Sequence, residues 1–306
     1  MKKKKIIIGS RNSKLAFIYA QNVKNQILNN SKLQDDQIVI KGIVTKGDQV
    51  HDKRLSEIGG KGLFSRNIET ELLKGNIDIA VHALKDMPAL ETKGLSSNFF
   101  LKRNDPREIL ISRDRNKLAD LKSNSIIGTS SFRREFQIKR LKRNIICKLI
   151  RGNVDTRLRK LKEGNYDAII LSLAGIKSLK LEKEITQIFL TEEIIPSAGQ
   201  GVICAQCKND HEEIIELLNS INDPDTFKCA VAERDVLKIL EGDCETAVGA
   251  HALLKDNKIT LEAELFSIDG SQRFYEKLTK DKRNFDKIGL EIGKTLKLKS
   301  KGNYKI

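Results

Sequence analysis

The chain has 306 residues, of which 56 are Lys or Arg and 41 are Asp or Glu, giving a formal net charge of +15. Hydrophobic residues make up 39% of it, too many for a disordered protein, and 4 Pro and 20 Gly exclude a collagen-like or low-complexity polymer. A chain of this length forms about two or three domains. The charge favours an anionic partner, without distinguishing nucleic acid from a small polycarboxylate or phosphate.

The sequence contains no stretch typical of a membrane span. Its least polar stretch, 168–176, is far shorter than the roughly 20 apolar residues that cross a bilayer. The basic start of the chain is followed by a short apolar run and then by polar Ser10 and Arg11, unlike a signal peptide. The 5 cysteines are scattered and odd in number, which favours reduced thiols. We therefore expect a cytoplasmic protein without a membrane partner.

The first part of the chain alternates between strand and helix patterns. The apolar run at 6–8 predicts a buried strand, and apolar residues at helical spacing over 15–27 predict a helix. The next predicted elements are a strand, a helix and a strand, at 38–44, 63–73 and 77–82. This alternation predicts a layered α/β domain with its chemistry at the carboxyl ends of the strands.

The same pattern restarts after Asn104-Asp105-Pro106 and predicts a second α/β domain. Its predicted strands and helices lie at 109–112, 125–127, 131–143 (helix), 145–150, 154–162 (helix) and 166–172. Beyond the turn at 222–225 the pattern changes. Strands at 259–266 and 273–278 flank the hairpin signal Ile268-Asp269-Gly270-Ser271, and a helix covers 288–296. This third unit should be α+β with a small antiparallel sheet.

A cation and a carboxylate, Lys85 and Asp86, stand where the strand at 77–82 ends. An α/β sheet opens to ligands at the carboxyl ends of its strands. Asp86 could therefore act as a general acid or base, or stabilise a cation that develops in a substrate. It could equally cap the turn before Pro88.

Arginines follow predicted strand ends at three places. The segment 127–134 contains Thr129 and Ser131 before two arginines, while 9–13 and 151–157 repeat the plan of a strand end followed by polar residues and arginine. Backbone N–H groups, hydroxyls and guanidinium groups together suit a carboxylate or phosphate. Alternatively, the hydroxyls cap helices and the arginines lie on a solvated face. The threefold recurrence argues for one anionic site shared by two domains.

Two further motifs have both functional and structural interpretations. Gly59-Gly60-Lys61-Gly62 does not match a nucleotide P-loop, and it could be a loop that closes over a ligand or a plain turn. The basic stretch 133–143 could bind nucleic acid, or it could be a helix with an apolar core stripe and a solvated basic face.

No metal site is expected from the cysteines and histidines. Cys204 and Cys207 should lie on opposite faces of a strand as buried thiols, and the histidines lack metal-ligand spacing. Cys244 differs, because it lies in a polar loop after a helix. It could react as a thiolate or be an unreactive surface cysteine.

Together, these motifs resemble those of the porphobilinogen deaminase (hydroxymethylbilane synthase) family over nearly the whole chain. Their order, spacing and number argue against a chance match. The segments that carry the resemblance are G-S-R-N-S-K-L-A at Gly9, T-K-G-D at Thr45, G-G-K-G-L-F at Gly59, D-I-A-V-H-A-L-K-D-M-P at Asp78, I-G-T-S-S-F-R-R at Ile127, R-G-N-V-D-T-R-L at Arg151, Y-D-A-I-I-L at Tyr166, G-Q-G at Gly199 and E-G-D-C at Glu241.

The resemblance implies two α/β domains similar to type II periplasmic binding proteins and a small α+β domain with a three-stranded antiparallel sheet. Their expected bounds are 1–101 with 200–219, then 105–196, then 222–306. It also implies a dipyrromethane cofactor, bound to Cys244 through a thioether, and no metal. Four porphobilinogen molecules would be joined head to tail with loss of ammonia, and hydrolysis would release hydroxymethylbilane.

The resemblance also assigns roles to individual residues. Asp86 matches the catalytic aspartate, which would hold pyrrole N–H groups and offset positive charge as ammonia leaves. Phe64 would pack near the growing chain. The residues that would bind the acetate and propionate groups of cofactor and substrate are Arg11, Ser13, Lys85, Thr129, Ser131, Arg133, Arg134, Arg151 and Arg157.

The sequence departs from the family pattern at two places. Lys14 stands where the family usually has Pro, and Asp243 and Glu245 place negative charge on either side of Cys244. Such charge disfavours a thiolate, so we expect slow attachment of the cofactor. The resemblance favours a monomer whose partner is the small molecule porphobilinogen, without nucleic acid.

Overall fold

The computed structural model describes residues 5–45, 62–242 and 246–304. Its strands are β1 (Ile6–Arg11), β2 (Ile38–Ile43), β3 (Ile79–Ala83), β4 (Leu95–Phe100), β5 (Glu108–Ser112), β6 (Ser125–Gly128), β7 (Ile145–Lys148), β8 (Ala168–Ser172), β9 (Gln187–Ile188), β10 (Ile203–Lys208), β11 (Val248–Lys255), β12 (Lys258–Phe266) and β13 (Arg273–Asp281). Its α-helices are α1 (Lys14–Asn29), α2 (Arg66–Leu73), α3 (Phe132–Leu141), α4 (Val154–Lys162), α5 (Leu173–Ser178), α6 (Glu212–Asn219), α7 (Pro224–Leu240) and α8 (Phe285–Ser300). None of the helices in these ranges is both long and apolar enough to span a membrane.

The first sheet has the strand order β2-β1-β3-β10-β4. β1 is parallel to β2 and β3, whereas β10 runs antiparallel to its neighbours β3 and β4. Helices α1 and α6 supply apolar side chains to the core on one face, and α2 supplies Ile68 and Leu72 to the other. Burial on both faces explains why β1 begins with three consecutive isoleucines.

The second sheet repeats this arrangement with the order β7-β6-β8-β5-β9. β6 is parallel to β7 and β8, and β5 is antiparallel to β8 and β9. Each of the two units also contains an equivalent hydrogen bond. Asp78 accepts one from Ile7 N (2.8 Å) in the first unit, and Asp167 accepts one from Ile126 N (2.7 Å) in the second. In each unit a carboxylate just before the third strand in the order therefore binds the backbone at the start of the second.

The third unit is the antiparallel sheet β11-β12-β13, packed against α7 and α8. Its core joins the inward side chains of β11 and β12 to apolar residues of both helices. Asp223 caps the start of α7 by accepting a hydrogen bond from Thr226 N at 2.8 Å, with Pro224 at the first helical position. The predicted fold class, two α/β units followed by an α+β unit with a three-stranded antiparallel sheet, is confirmed.

Most element predictions are confirmed in type, with shifts at their ends. The strand predicted over 145–150 ends at Lys148, and the helix predicted over 131–143 spans Phe132–Leu141. The sequence interpretation did not include β4, β9, β11, α5 or α6. The strands of the three sheets fall within the three predicted domains, and the boundaries themselves stay a prediction.

The chain crosses between the two α/β units twice, and the crossing segments pair with each other. Asn104 N donates to Gly201 O at 2.9 Å, and Leu101 N donates to Ile203 O at 3.1 Å. Gly201 has a φ of +81°, and a Cβ there would lie 2.5 Å from Asn104 O. A residue with a side chain would therefore push the crossing segments apart.

Glu233 of α7 ties the third unit to both crossing segments. Its fully buried carboxylate accepts hydrogen bonds from the Arg103 guanidinium, from Gly199 N at 2.7 Å and from Ala252 N at 2.7 Å. The guanidinium is itself only 13% exposed, so each charge depends on the other for compensation.

Replacing Glu233 should destabilise the protein strongly. Glu233→Gln leaves Arg103 buried without an anion, and we expect the free energy of unfolding to fall by about 3 kcal/mol, measured by urea denaturation. Glu291→Gln is the matched control, because Glu291 pairs with Lys280 at the surface. Equal stability of the two variants would show that the buried pair does not stabilise the junction.

Candidate functional site

Asp86 closes a short 3-10 turn, Leu84–Asp86, that directly follows β3. Its side chain is 36% exposed, and the carboxylate lies 3.9 Å from the guanidinium group of Arg11, the last residue of β1. The turn is closed by Met87 N donating to Leu84 O at 3.1 Å, and within the described ranges Asp86 forms no hydrogen bond that caps it. The carboxylate is thus left accessible beside a cation, which favours the functional interpretation over the turn cap.

Phe64 lies against the same arginine. The Cζ atom of Arg11 is 4.0 Å from the centre of the Phe64 ring, the geometry of a cation–π contact. The half-buried ring therefore lies close to Asp86 and beside the segment that begins α2. Phe64, Arg11 and Asp86, predicted separately, are brought together here.

Lys85 joins the two α/β units. Its Nζ donates to Ser172 Oγ at 3.4 Å and to Gln200 Oε1 at 3.3 Å. Ser172 ends β8, which occupies in the second sheet the place of β3 in the first. The carboxyl ends of equivalent strands therefore face each other across the junction of the units.

Burial and, next to it, the positive charge of Arg134 lower the pKa of Lys85 to about 8, against the opposing effects of Asp86 and Glu108. Asp86 belongs to the first unit and Arg134 to the second, so charges of both units act on the ammonium group of Lys85. Lys85 is thus a cation that loses part of its charge in mildly alkaline solution.

Arg133 and Arg134, at the start of α3, point into the protein. They are 5% and 8% exposed, and both bind the fully buried carboxylate of Glu108. The interpretation of 133–143 as a helix with a solvated basic face is therefore wrong for its first turn. Although burial raises the pKa of Glu108, the charges of Arg134 and Arg133 lower it to about 2.

The predicted hydroxyl residues act at helix starts. Ser13 Oγ accepts a hydrogen bond from Ala16 N at 3.3 Å, and Ser131 Oγ accepts one from Arg134 N at 3.4 Å, which makes both serines N-caps. Thr129 Oγ1 accepts from Ser131 N at 3.1 Å. Each hydroxyl still has its own hydrogen to donate, so these contacts leave a role toward a carboxylate ligand open.

Arg151 and Arg157 add positive charge to the same region. Arg151 is 7% exposed, and Arg157 Nε donates to Gly152 O at 2.8 Å. Burial and the charges of Arg134 and Arg151 together lower the pKa of Arg157 to about 10, while Asp86 opposes this shift. Arg157 therefore shares an electrostatic environment with the catalytic candidate and with the first turn of α3.

Several predicted features lie outside the described residues. These are Cys244 with its neighbours Asp243 and Glu245, Gly59-Gly60-Lys61 of the glycine-rich loop, and residues 46–48 of the T-K-G-D motif. The two thiols of β10 are described. Cys204 and Cys207 are buried in different core clusters, as predicted for opposite strand faces, and burial raises their pKa values to about 12 and about 11.

Comparison with known proteins identifies the family. Residues 6–216 match the family model described as porphobilinogen deaminase, dipyromethane cofactor binding domain, and residues 227–298 match the model of the porphobilinogen deaminase C-terminal domain. The chain belongs to the porphobilinogen deaminase family. It is therefore an enzyme-family member with a dipyrromethane cofactor-binding domain, as the resemblance implied.

Curated relatives of the same name match nearly end to end. The porphobilinogen deaminase of Macrococcus caseolyticus is 39% identical over 294 residues, covering 96% of this chain and 94% of the relative. That of Staphylococcus carnosus is 40% identical over 279 residues, covering 90% of each chain. The family's place in tetrapyrrole biosynthesis applies to this chain.

Solved structures are only distantly similar. A substrate-binding domain of an amino acid transporter from Streptococcus pneumoniae is 14% identical, with a TM-score of 0.43, and covers 71% of this chain and 92% of its own. The aliphatic sulphonate binding protein of Escherichia coli is 13% identical, with a TM-score of 0.42, and covers 77% and 70%. Nothing about the ligand of this chain follows from such likenesses.

Sequence reasoning missed three residues that contact the predicted site. Glu108, Ser172 and Gln200 bind the arginines or Lys85, but none was given a role. A charged residue at the start of the apolar run 109–112 was the available signal for Glu108. Gln200 lies in the G-Q-G motif and is fully buried, which its sequence neighbours do not indicate.

The charge on Lys85 should disappear over a physiologically accessible range. Its lowered pKa of about 8 means that the ammonium form dominates below this pH and is lost as the pH rises through it. We expect a ¹³Cε NMR titration, with Cys244 replaced by Ala so that nothing is attached there, to give a midpoint near 8. The resonance is the one that Lys85→Met removes and Lys177→Met retains, and a midpoint above 10 would contradict this assignment.

Proposed function

We propose that this chain is a transferase that condenses four porphobilinogen molecules head to tail into hydroxymethylbilane, with release of ammonia. The observation that carries the proposal is the accessible carboxylate of Asp86 beside Arg11, within reach of a cluster of half-buried cations. A pyrrole with acetate and propionate groups needs both features. The family match and the relatives' names support this substrate.

The residues present fit a dipyrromethane group. Lys85 and Arg157 hold positive charge in partly desolvated positions, and carboxylates would compensate that charge. We propose that these two residues, with Ser13, Thr129, Ser131, Arg133 and Arg134, hold the cofactor, and that Cys244 attaches it. When bound, the cofactor supplies the primer to which substrate units are added.

Asp86 would act on the reacting pyrrole. Its carboxylate can accept hydrogen bonds from pyrrole N–H groups and offset positive charge that develops as ammonia leaves. The neighbouring Arg11 holds the carboxylate from one side and, through its contact with Phe64, is itself held in place. Asp86 is thereby positioned as an acceptor and an electrostatic stabiliser.

The arginines, Arg133 and Arg134 included, would also bind the carboxylates of substrate and product. Each added ring brings two more carboxylates, so an elongating chain needs several cations in one cleft. Arg11 comes from the first α/β unit, and Arg151 and Arg157 come from the second. Phe64 contacts Arg11, and Ser13 follows it closely in the sequence. We further propose that the protein acts as a cytoplasmic monomer and that the three domains have the bounds 1–101 with 200–219, 105–196 and 222–306.

Intact mass of the purified protein tests the proposal most directly. We expect an excess equal to two porphobilinogen units less two molecules of ammonia, because each of the two additions releases one. A Cys244→Ala protein is the control and should have the mass of the bare chain. A wild-type chain that stays bare after incubation with porphobilinogen would indicate a binding protein without turnover, whereas slow loading would fit the acidic neighbours Asp243 and Glu245.

Asp86→Asn should separate chemistry from folding. The amide keeps the size of the side chain but loses its charge, so we expect turnover to fall by about 100-fold or more. Porphobilinogen consumption measures the rate, and thermal unfolding shows whether the fold is kept. Asp114→Asn, at an exposed aspartate, is the matched control. Similar turnover in the two variants would remove Asp86 from the catalytic role.

A further inference from the structure

Glu108 lies where the second sheet meets the predicted site. It is the first residue of β5 and is paired in register with Ser172 of β8, whose hydroxyl accepts a hydrogen bond from Lys85. Its side chain is fully buried. Glu108 is therefore fixed beneath the junction of the two α/β units and cannot itself reach out to a ligand.

Both carboxylate oxygens of Glu108 are used to hold arginines. Oε1 accepts from Arg133 Nη2 at 2.6 Å and from Arg134 Nε at 3.0 Å, while Oε2 accepts from Arg134 Nη2 at 2.8 Å. The pairing with Arg134 is bidentate, so it fixes the plane of that guanidinium group as well as its position.

Backbone carbonyls complete the setting of the two arginines. Arg134 Nη1 donates to Ile170 O at 3.3 Å, and Arg133 Nη1 donates to Ile195 O at 2.9 Å. A guanidinium group has five N–H groups, so each arginine retains some that a carboxylate ligand could use. These N–H groups have a fixed direction only while the bonds to Glu108 hold.

The negative charge of Glu108 also acts on Lys85, which it does not bind directly. Lys85 experiences Arg134 and Arg133 as like charges, and Glu108 and Asp86 as opposite charges. Of these two carboxylates, Asp86 is exposed and is the group proposed to face the substrate. Glu108 is thus the buried anion that offsets the cations from within the protein.

We propose that Glu108 is a positioning residue of this site, which fixes the guanidinium groups of Arg133 and Arg134 and keeps Lys85 charged for the binding of carboxylates. The expected effect of Glu108 on substrate binding rests on the proposed function, because it is measured with porphobilinogen. Its structural consequence, the effect on Lys85, concerns the protein without any ligand.

The kinetic arm compares three full-length variants with porphobilinogen as substrate. In Glu108→Gln an amide N–H₂ group replaces one acceptor and opposes the guanidinium N–H groups, so we expect KM to rise by about tenfold or more, with a smaller change in kcat because Asp86 is intact. Glu108→Asp keeps the charge but is too short for the bidentate contact, so KM should rise there as well. Glu135→Gln is the matched control, since Glu135 follows Arg134 in α3 but pairs with Lys139.

The second arm needs no substrate. In the Cys244→Ala background, the ¹³Cε titration of Lys85 should move roughly one pH unit lower in Glu108→Gln, because an opposing negative charge is lost. It should stay in place in Glu108→Asp and in Glu135→Gln. A purely structural role for Glu108 would not produce this dependence on charge.

Unchanged KM and an unchanged Lys85 titration in folded Glu108→Gln would overturn the proposal. Thermal unfolding identifies folded protein, and if Glu108→Gln does not fold, Glu108→Asp decides, since an unaltered KM in that variant excludes positioning by the bidentate contact. Failure of the proposed function is recognised separately. In that case wild-type protein would not consume porphobilinogen, while the titration arm would still test the effect of Glu108 on Lys85.

Discussion

A site for a ligand with many carboxylates must hold like charges close together, and this repulsion constrains everything around the junction of the two α/β units. Arg134 acts electrostatically on both Lys85 and Arg157, and burial weakens the hydration of these two cations. A buried carboxylate, that of Glu108 at the start of β5, compensates part of this positive charge. The attraction between Glu108 and the arginines offsets part of the repulsion among the cations before any ligand binds. The accessible carboxylate of Asp86 therefore remains free to face a ligand.

This arrangement follows from building two similar units around one cleft. The parallel strands of each sheet end toward the junction, so Lys85, just after β3, reaches Ser172 at the end of β8 without a long loop. The paired crossing segments and the carboxylate of Glu233 fix how the units and the third domain are joined. Gly201 allows the close approach of these segments. The position of Lys85 between Ser172 and Gln200 depends on the paired crossing segments, on Glu233 and on Gly201.

Local sequence patterns were sufficient to predict the helices and strands that are stabilised by residues near them in the sequence. Ile6-Ile7-Ile8 and the apolar spacing of α1 predicted the start of the first unit. The motifs with arginine predicted that cations at several strand ends share one region, as Arg134, Arg151 and Arg157 do. β4, in contrast, has no clear alternation, and among the described strands it pairs with β10 alone, which is distant in sequence. The partners of Glu108 are likewise distant, so its role could not be read from its neighbours. Burial of Arg133 was missed because a basic helix usually faces water.

The strand order has a consequence for synthesis on the ribosome. β10 separates β3 from β4 in the first sheet, yet it is translated on the order of a hundred residues after β4, when the second unit has largely emerged. At roughly 5–20 residues per second the growing chain waits several seconds with β3 as an open sheet edge and β4 without a partner. Such edges pair readily with other chains. During that interval the nascent first unit exposes the backbone hydrogen-bonding groups that β10 covers in the folded protein.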